Sequence, residues 1–387
     1  MNGNFSYYNP TKLYFGKNSI ECLEAELLQQ GKNILLVYGG GSIKKNGIYK
    51  QVLHTLETLD KNVFEISGVM PNPTYQKLLE GCKVAKENNI DFILAIGGGS
   101  VIDYAKGIAN CTYCTEDAWT KYYENWEEVT NEVLPIGCIL TMVGTGSEMN
   151  NCSVITNTEK TSKLGRIFDD RSYPKFTILD PTYTYTLPKY QMVAGIYDIM
   201  SHILEQYLSG DDDSTNDYLA EGLMQSLIHS SKIAIDNPLD YEARSNIMWT
   251  ATWALNSLIG SGKPQDWQAH GIGETIGAYT DATHGMTLSA TAIAYYEYLL
   301  PNALDKFVRF AKNVWHVQDL ETKQQTALAG LETMKHWMQE LGLVLSIQEL
   351  GVTEEMLEKI ASDVNGNENA YRALTKEAVL DILKKSW

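Results

Sequence analysis

The sequence predicts a Rossmann-like α/β domain in residues 1–184 and an all-α domain in residues 185–387. In the first half, apolar runs of strand length alternate with helical stretches, which is typical of a mostly parallel sheet covered on both faces. Two of these runs end in the same Gly-Gly-Gly-Ser turn. Beyond residue 185, apolar residues recur at helical spacing almost to Trp387. The short connection between the halves predicts a ligand cleft between the two domains.

The elements of the first domain can be predicted in chain order from apolar runs and turn residues. Strands are expected at residues 11–15, 33–38, 63–66 and 92–96, within 133–142, and at 154–156 and 176–179. Helices are expected from about Ile20 to a C-cap at Gly31, from Ile43, from the Pro71–Thr74 turn to about Asn89, and from Val101.

The composition is that of a globular protein, because 44% hydrophobic and 20% charged residues exclude a disordered chain. The formal charge of −17 disfavours a nucleic-acid or anionic membrane surface, since phosphates attract Lys and Arg.

The chain lacks an apolar run of about 18 residues and a signal-peptide pattern, so a cytoplasmic protein is expected. The six cysteines have no regular spacing and are expected to be free thiols.

Four side chains of the second domain form a candidate metal site. Asp198 and His202 are four residues apart in a stretch without proline, so on a helix they project from one face. His270 and His284 follow in the sequence. One carboxylate and three imidazoles suit Zn²⁺ or Fe²⁺ and leave a further position for substrate. The spacing also fits a helix-terminal Asp beside a buried histidine, and this alternative stays open at this stage.

The two glycine turns, Gly39–Ser42 and Gly97–Ser100, are candidate phosphate-binding sites. Glycine lets the backbone approach a phosphate closely, and the start of the next helix offers free N–H groups. Two such turns at one sheet edge favour a dinucleotide over two tight structural turns. Thr141 and Thr145 would add hydroxyl donors nearby. Lys163 is the nearest cation, with a solvated surface lysine as the alternative interpretation.

Taken in order, these motifs resemble the iron-containing (group III) alcohol dehydrogenase family, and within it the NADPH-dependent, butanol-dehydrogenase-like branch. The residues that carry the resemblance are Tyr38–Gly47, Pro71–Thr74, Ala95–Ser100 with Asp103, Gly144–Glu148, Leu179–Pro181 and the four metal candidates. The resemblance spans nearly the whole chain. It implies a dehydroquinate synthase-like fold, with the active site in a cleft between a Rossmann-like domain and a helical domain.

The resemblance also implies roles for individual residues. The four metal candidates fall on the metal-ligand positions of the family. Nucleotide contacts are implied for a further set, which comprises Asn72, Gly98, Gly99, Ser100, Asp103, Thr141, Thr145 and Lys163.

The choice of coenzyme is predicted from the residues that follow the first Rossmann strand. Relatives that prefer NAD carry an acidic residue there, suited to the ribose 2′-hydroxyl. This chain instead has Gly39, Gly40, Gly41 and Ser42, followed by Lys44 and Lys45. Without the carboxylate, backbone amides, a hydroxyl and cations can accept a 2′-phosphate, so NADP(H) is the predicted coenzyme.

The resemblance implies reversible hydride transfer between NADP(H) and short-chain alcohols or aldehydes, assisted by one Fe²⁺ or Zn²⁺ that polarises the carbonyl. The chain departs from the branch at one position. Butanol-dehydrogenase-like members have a second histidine four residues after the third metal ligand, where this chain has Glu274. Glu274 is therefore expected either to replace that histidine as a proton relay or to be structural.

Three alternative functions remain open: a polyol (glycerol-type) dehydrogenase, a dehydroquinate-synthase-like lyase, and a catalytically silent nucleotide-binding relative. A lyase with a phosphorylated substrate would require several cations in its cleft. Residues 185–300 contain only Lys189, Lys232, Arg244 and Lys263, which disfavours the lyase. An exposed strand at residues 11–15 is expected to pair with its counterpart in a homodimer, as is common in the family.

Overall fold

The computed structural model describes residues 3–211 and 213–387. The chain forms two compact units, one of Tyr8–Leu187 and one of Pro188–Trp387 together with residues 3–7. The first unit is α/β and the second is helical, which confirms the predicted fold class. No helix in the described part of the chain is both long enough and apolar enough to cross a membrane.

The α/β unit contains a six-stranded sheet in which all neighbouring strands are parallel. The strands of this unit are β1 (Lys12–Phe15), β2 (Asn33–Tyr38), β3 (Asn62–Ile66), β4 (Phe92–Gly97), β5 (Ile136–Leu140), β6 (Cys152–Asn157), β7 (Ser162–Ile167) and β8 (Phe176–Leu179). Their order in the sheet is β1-β8-β5-β4-β2-β3, while β6 and β7 form a separate antiparallel pair. Strands β2, β4 and β5 lie inside the sheet and are almost wholly buried, which accounts for their continuous apolar sequences.

Helices connect most of the parallel strands. They are α1 (Leu23–Leu28), α2 (Ser42–Lys45), α3 (Ile48–Thr58), α4 (Tyr75–Glu87) and α5 (Gly99–Cys111). Helix α3 buries Ile48, Val52 and Leu56, which are spaced four residues apart and therefore form one stripe facing the core. Thr74 is the N-cap of helix α4, and its hydroxyl accepts a hydrogen bond from the backbone N–H of Lys77 at 3.2 Å.

Two elements predicted for this unit form, but with a different geometry or placement. The helix expected from Ile20 to Gln30 is a 3₁₀ turn (Ser19–Cys22) followed by the short α1. The strand expected at residues 154–156 lies in the β6–β7 hairpin and not in the parallel sheet. The four residues between these strands are too few for the crossover that a parallel pair requires, so the pair is antiparallel.

The helical unit contains nine α-helices among the described residues. They are α6 (Lys189–Tyr207), α7 (Thr215–Asp236), α8 (Tyr241–Ala254), α9 (Gln268–Thr280), α10 (His284–Leu299), α11 (Leu304–Asn313), α12 (Lys323–Leu341), α13 (Glu354–Asp363) and α14 (Lys376–Lys385). Helix α6 is buried on all sides from Met192 to Tyr207 and packs against α7, α8, α9 and α10. Polar residues on α6 therefore face the protein interior, where they need specific partners.

Candidate functional site

The four predicted metal ligands come together in the helical unit. Asp198 and His202 lie one turn apart on α6, His270 lies in the first turn of α9, and His284 is the first residue of α10. Asp198 Oδ1 is 3.7 Å from His202 Nε2, 3.7 Å from His270 Nε2 and 3.6 Å from His284 Nε2. Ligand atoms of Asp198, His202 and His270 all lie within 4.8 Å of one another. One carboxylate oxygen is thus surrounded by three imidazole nitrogens.

The chemistry of this cluster fits a divalent metal ion. Asp198 and His270 are 4% and 8% exposed, so the cluster is shielded from bulk water. Asp198 Oδ1 and His270 Nε2 are buried and have no hydrogen-bond partner among the described residues. Buried polar atoms without partners are costly, and a cation bound between them would remove that cost. One carboxylate and three imidazoles are a donor set that accepts Fe²⁺ or Zn²⁺.

The charges in the cluster are strongly coupled. Burial alone would raise the pKa of Asp198, but the imidazoles of His202, His270 and His284 outweigh burial and lower that pKa below its usual value. Burial alone would lower the pKa of His270, whereas the carboxylates of Glu205 and Asp198 raise that pKa to about 10. Imidazole binds a metal only without its proton on the ligating nitrogen, so a cation competes with protons for this cluster.

A close helix–helix approach brings His284 to Asp198. The next residue, Gly285, faces the backbone of α6, and a Cβ atom at this position would lie 2.0 Å from the carbonyl oxygen of Ala194. Gly273 similarly allows α9 to approach α10, since a Cβ there would lie 2.7 Å from Leu288. These glycines therefore permit the spacing at which three helices supply one ligand set.

The sequence interpretation missed Glu205, which contacts a metal-ligand candidate directly. Its carboxylate is hydrogen-bonded to His270 Nδ1, and its side chain is completely buried. A signal was present, because Asp198, His202 and Glu205 lie at positions i, i+4 and i+7 of one helix and therefore share a face. The partner across the fold, 65 residues away, could not be predicted from that pattern.

Glu274 lies one turn after His270 on α9 and is half-buried. Residues spaced by four on a helix share a face, so its carboxylate projects on the same side as His270. It is not a member of the tight group formed by Asp198, His202 and His270. This placement suits a group near the metal ligands better than a ligand itself.

The second glycine turn is packed closely in the α/β unit. A Cβ on Gly99 would lie 2.2 Å from Thr145 Oγ1, and one on Gly98 would lie 3.0 Å from Met142. The backbone N–H of Thr141 donates to the carbonyl oxygen of Gly97 at 2.9 Å. The predicted residues Gly98, Gly99, Thr141 and Thr145 are therefore neighbours at the carboxyl ends of β4 and β5.

Helix α5 starts at this turn and has an N-terminus suited to a phosphate. No side chain caps the helix, so its first N–H groups remain available to an anion. Ser100 is the one residue of α5 that is not buried. A part-exposed hydroxyl in the first turn of an otherwise buried helix fits the predicted contact to a nucleotide.

The first glycine turn, Gly39–Ser42, follows β2 at the same edge of the sheet. A Cβ on Gly40 or Gly41 would meet no atom within 4 Å, and Gly41 has a φ of 99°, which favours glycine. Lys44 follows in α2, with its Nζ 5.0 Å from the ring centre of Tyr38 and 4.5 Å from that of Tyr49. The Gly39–Ser42 turn therefore has free space around its glycines, and the ammonium group of Lys44 lies close by in the sequence.

Three other predicted nucleotide contacts are buried in polar networks. Lys163 Nζ donates to Asn72 Oδ1 at 2.8 Å, and both residues are less than one-tenth exposed, so Lys163 is not a solvated surface lysine. The β6–β7 hairpin holds Lys163 in this position. Asp103 accepts hydrogen bonds from the Ser147 hydroxyl and, at 3.2 Å, from the backbone N–H of Val154. Asp103 therefore helps to hold the Gly144–Glu148 loop beside the second glycine turn.

Comparisons with known proteins show which family the chain is similar to. The sequence model described as iron-containing alcohol dehydrogenase matches residues 10–181, and the one for the C-terminal domain of the Fe-containing alcohol dehydrogenase family matches residues 192–387. The chain is 40% identical to NADH-dependent butanol dehydrogenase A of Clostridium acetobutylicum over 99% of both chains. It is 35% identical to the NADPH-dependent aldehyde reductase YqhD of Escherichia coli, over 90% of this chain and 89% of that protein.

A solved structure with a similar sequence also has a similar fold. The crystal structure of NADH-dependent butanol dehydrogenase A from Thermotoga maritima superposes with a TM-score of 0.93 at 35% sequence identity. The superposition covers 99% of this chain and 98% of that one. The similarity therefore extends over both units.

Proposed function

Because this chain belongs to the iron-containing alcohol dehydrogenase family, we propose that it transfers hydride between NADP(H) and short-chain alcohols or aldehydes in a metal-dependent reaction. Alcohol dehydrogenase or aldehyde reductase activity, with a divalent metal and a nicotinamide coenzyme, follows from the family. The observation that carries the proposal is the convergence of Asp198, His202, His270 and His284 within the helical unit.

In the proposed mechanism, residues of the helical unit bind the metal and residues of the α/β unit bind the coenzyme. When bound, a divalent cation supplies a Lewis acid that polarises a carbonyl, and a nicotinamide supplies or accepts hydride. Asp198 and the three histidines would hold the cation, and the burial of Asp198, His202 and His270 would limit the access of water. Gly98, Gly99 and Ser100 would bind the pyrophosphate at the start of α5 and so orient the coenzyme.

The test of the proposed function is metal reconstitution. Protein purified anaerobically and stripped of metal would be refilled separately with Fe²⁺ and Zn²⁺, and NADPH oxidation with butanal would be measured. We expect turnover only after refilling, and much slower NADP⁺ reduction with glycerol than with butanol. A preference for glycerol would favour a polyol dehydrogenase. NADPH binding without turnover with either ion would contradict the proposed function and favour a silent relative.

We propose NADP(H) as the preferred coenzyme on the basis of the surroundings of Lys44. The named relatives include both NADH-dependent and NADPH-dependent enzymes, so membership of the family does not fix the coenzyme of this chain. Glu65 is the nearby carboxylate that would favour NAD, but its two oxygens accept hydrogen bonds from Tyr38 and Tyr49 at 2.6 and 2.8 Å. Lys44 forms no salt bridge within residues 3–211 and 213–387, while a hydrogen bond to Tyr38 and attraction to Glu65 raise its pKa. Its exposed ammonium therefore stays charged and can bind a 2′-phosphate.

Lys44→Ala is expected to raise KM for NADPH by about 10–100-fold, because a hydrogen bond to a charged group contributes about 1.5–3 kcal/mol. KM for NADH should change little. Lys50→Ala, which removes an exposed lysine of the neighbouring helix α3, is the matched control. Steady-state kinetics with both coenzymes measure the effect. Equal losses for NADH and NADPH, or a higher kcat/KM with NADH in the unaltered protein, would show that the coenzyme assignment is wrong.

We propose that Glu274 carries the proton between substrate and solvent in place of the histidine of related enzymes. Glu274→Gln is expected to lower kcat by about a hundredfold, because an amide of the same size cannot exchange the proton. Metal affinity should remain unchanged, and Glu274→His should recover activity with a shifted pH profile. Unchanged kcat in Glu274→Gln would instead indicate a structural glutamate.

We also propose a homodimer that forms through β1. This strand pairs with β8 along one edge, and its other edge faces no strand among the described residues. An unpaired strand edge can extend the sheet by pairing with a second copy. Light scattering would measure the mass in solution, and a monomeric mass would contradict the proposal.

A further inference from the structure

Glu205 occupies an unusual position for a charged residue. It lies on α6 three residues after His202, and its side chain is completely buried. A buried carboxylate is costly unless it is paired and hydrogen-bonded, so its partners indicate why it is tolerated. All of these partners lie in residues 201–270 of the helical unit.

The carboxylate of Glu205 is shared between a metal-ligand candidate and the start of a helix. Oε1 is hydrogen-bonded to His270 Nδ1 and also accepts the Ser201 hydroxyl at 3.3 Å. Oε2 accepts the backbone N–H groups of Ala269 and His270 at 2.9 and 3.3 Å. The backbone carbonyl of Glu205 also accepts the N–H of Asp266 at 3.0 Å. The segment from Asp266 to His270 is thereby fixed to α6.

The contacts to Ala269 and His270 replace a missing helix cap. Helix α9 is preceded by Trp267, which adopts a left-handed conformation and provides no side-chain cap. The first N–H groups of a helix have no partner within the helix, and the helix dipole favours a negative charge there. The Glu205 carboxylate, which lies on α6, accepts these N–H groups and places a negative charge at the start of α9.

The contact to the ring determines which nitrogen of His270 can bind a metal. An ionised carboxylate only accepts hydrogen bonds, so Nδ1 must carry the proton. In a neutral imidazole the lone pair then lies on Nε2, the atom that is 3.7 Å from Asp198 Oδ1. The same contact fixes the rotation of the ring about its long axis. Carboxylate partners of this kind orient metal-binding histidines in many proteins.

We propose that Glu205 is a positioning residue of the metal centre, whose single carboxylate both caps α9 and holds His270 in the tautomer and orientation that bind the ion. This inference rests on the proposed metal site. It goes beyond the four ligand candidates, because it assigns a function to a residue that acts through His270.

Glu205→Gln tests this role with a side chain of the same size. The single amide oxygen of Gln can serve the backbone N–H groups or the ring Nδ1–H, but not both. If the oxygen faces the backbone, the amide NH₂ faces Nδ1 and favours the tautomer with its proton on Nε2, so that Nε2 cannot bind the metal. Glu221→Gln is the matched control, since Glu221 is another buried carboxylate of this unit, bonded to Tyr207 and Arg309.

Metal-stripped proteins would be titrated with Zn²⁺ and Co²⁺ against a chelator of known affinity. We expect Glu205→Gln to raise the metal Kd by about 10–100-fold and to alter the visible Co²⁺ spectrum. Glu221→Gln should lower thermal stability without changing Kd. An unchanged Kd in Glu205→Gln, or equal losses of affinity in both variants, would overturn the positioning role. Failure of the unaltered protein to bind either ion would overturn the metal site itself, and the inference with it.

A measurement on the unaltered protein covers the case in which Glu205→Gln does not fold. Histidine labelled with ¹⁵N would report which ring nitrogen of His270 carries the proton in the Zn²⁺-loaded protein, with the signal assigned by its loss in His270→Ala. A proton on Nδ1 supports the inference. A proton on Nε2, or a deprotonated Nδ1, overturns it.

Discussion

His270→Ala is expected to lower kcat for butanal reduction by at least about a thousandfold. The substitution removes one of three imidazole nitrogens around Asp198 Oδ1 and leaves the buried Glu205 carboxylate without its ring partner. Lewis-acid stabilisation of the reacting oxygen contributes several kcal/mol, and each 1.36 kcal/mol is a factor of about ten in rate. Initial rates of NADPH oxidation with Fe²⁺- or Zn²⁺-refilled protein would measure the loss.

The control for this experiment is His336→Ala. His336 lies on α12 with a side chain that is 67% exposed, and its contact with Glu332 lies within the same helix. We expect this variant to keep normal metal content and normal rate. If His270→Ala retained more than about a tenth of the activity with normal metal content, His270 would not be a ligand on which the reaction depends.

Gly285→Ala is expected to disrupt both stability and metal binding. The added Cβ would lie 2.0 Å from the Ala194 carbonyl oxygen, and a backbone atom of a buried helix cannot move away easily. Overpacking of this kind costs about 1–3 kcal/mol, so α10 should shift away from α6 and carry His284 with it. We expect a lower thermal midpoint and a weaker affinity for Zn²⁺ than in the unaltered protein.

Gly222→Ala is the matched control for Gly285→Ala. Gly222 is an exposed residue of α7, and a Cβ there would meet no atom within 4 Å. Alanine in an exposed helix position is favoured over glycine by about 0.5–1 kcal/mol, so this variant should be slightly more stable. Thermal unfolding and metal titration would compare the two variants. Equal stability of the two, with unchanged Zn²⁺ affinity, would show that the close approach at Gly285 is unimportant.

The parallel sheet could be predicted where a strand is buried on both faces. Strand β2 was predicted with its observed bounds, and β4 within one residue, because a short, continuous apolar run is typical of an interior strand in an α/β chain. Strand β7 was not predicted, since Lys163, Gly165 and Arg166 interrupt its apolar pattern. It forms because a short turn holds it against β6, which is a tertiary effect that local sequence does not encode.

The metal site was predictable in part. The spacing of Asp198 and His202 indicated a shared helix face, and His270 and His284 completed a candidate ligand set that the family resemblance then supported. The structure brings all four together. Glu205 and Gly285 were missed because their roles depend on contacts with other helices, and no local spacing specifies those contacts. Residues that hold and orient ligands are therefore harder to predict than the ligands themselves.

The most direct test of metal-dependent hydride transfer is the fate of a deuterium label. NADPH labelled on either face of the nicotinamide C4 would be mixed with butanal and metal-loaded protein, and the butanol would be analysed by mass spectrometry. We expect a single deuterium in butanol from one of the two labelled coenzymes, and no butanol from metal-stripped protein. Unlabelled butanol from both coenzymes, or equal turnover by the metal-stripped protein, would contradict the proposed function.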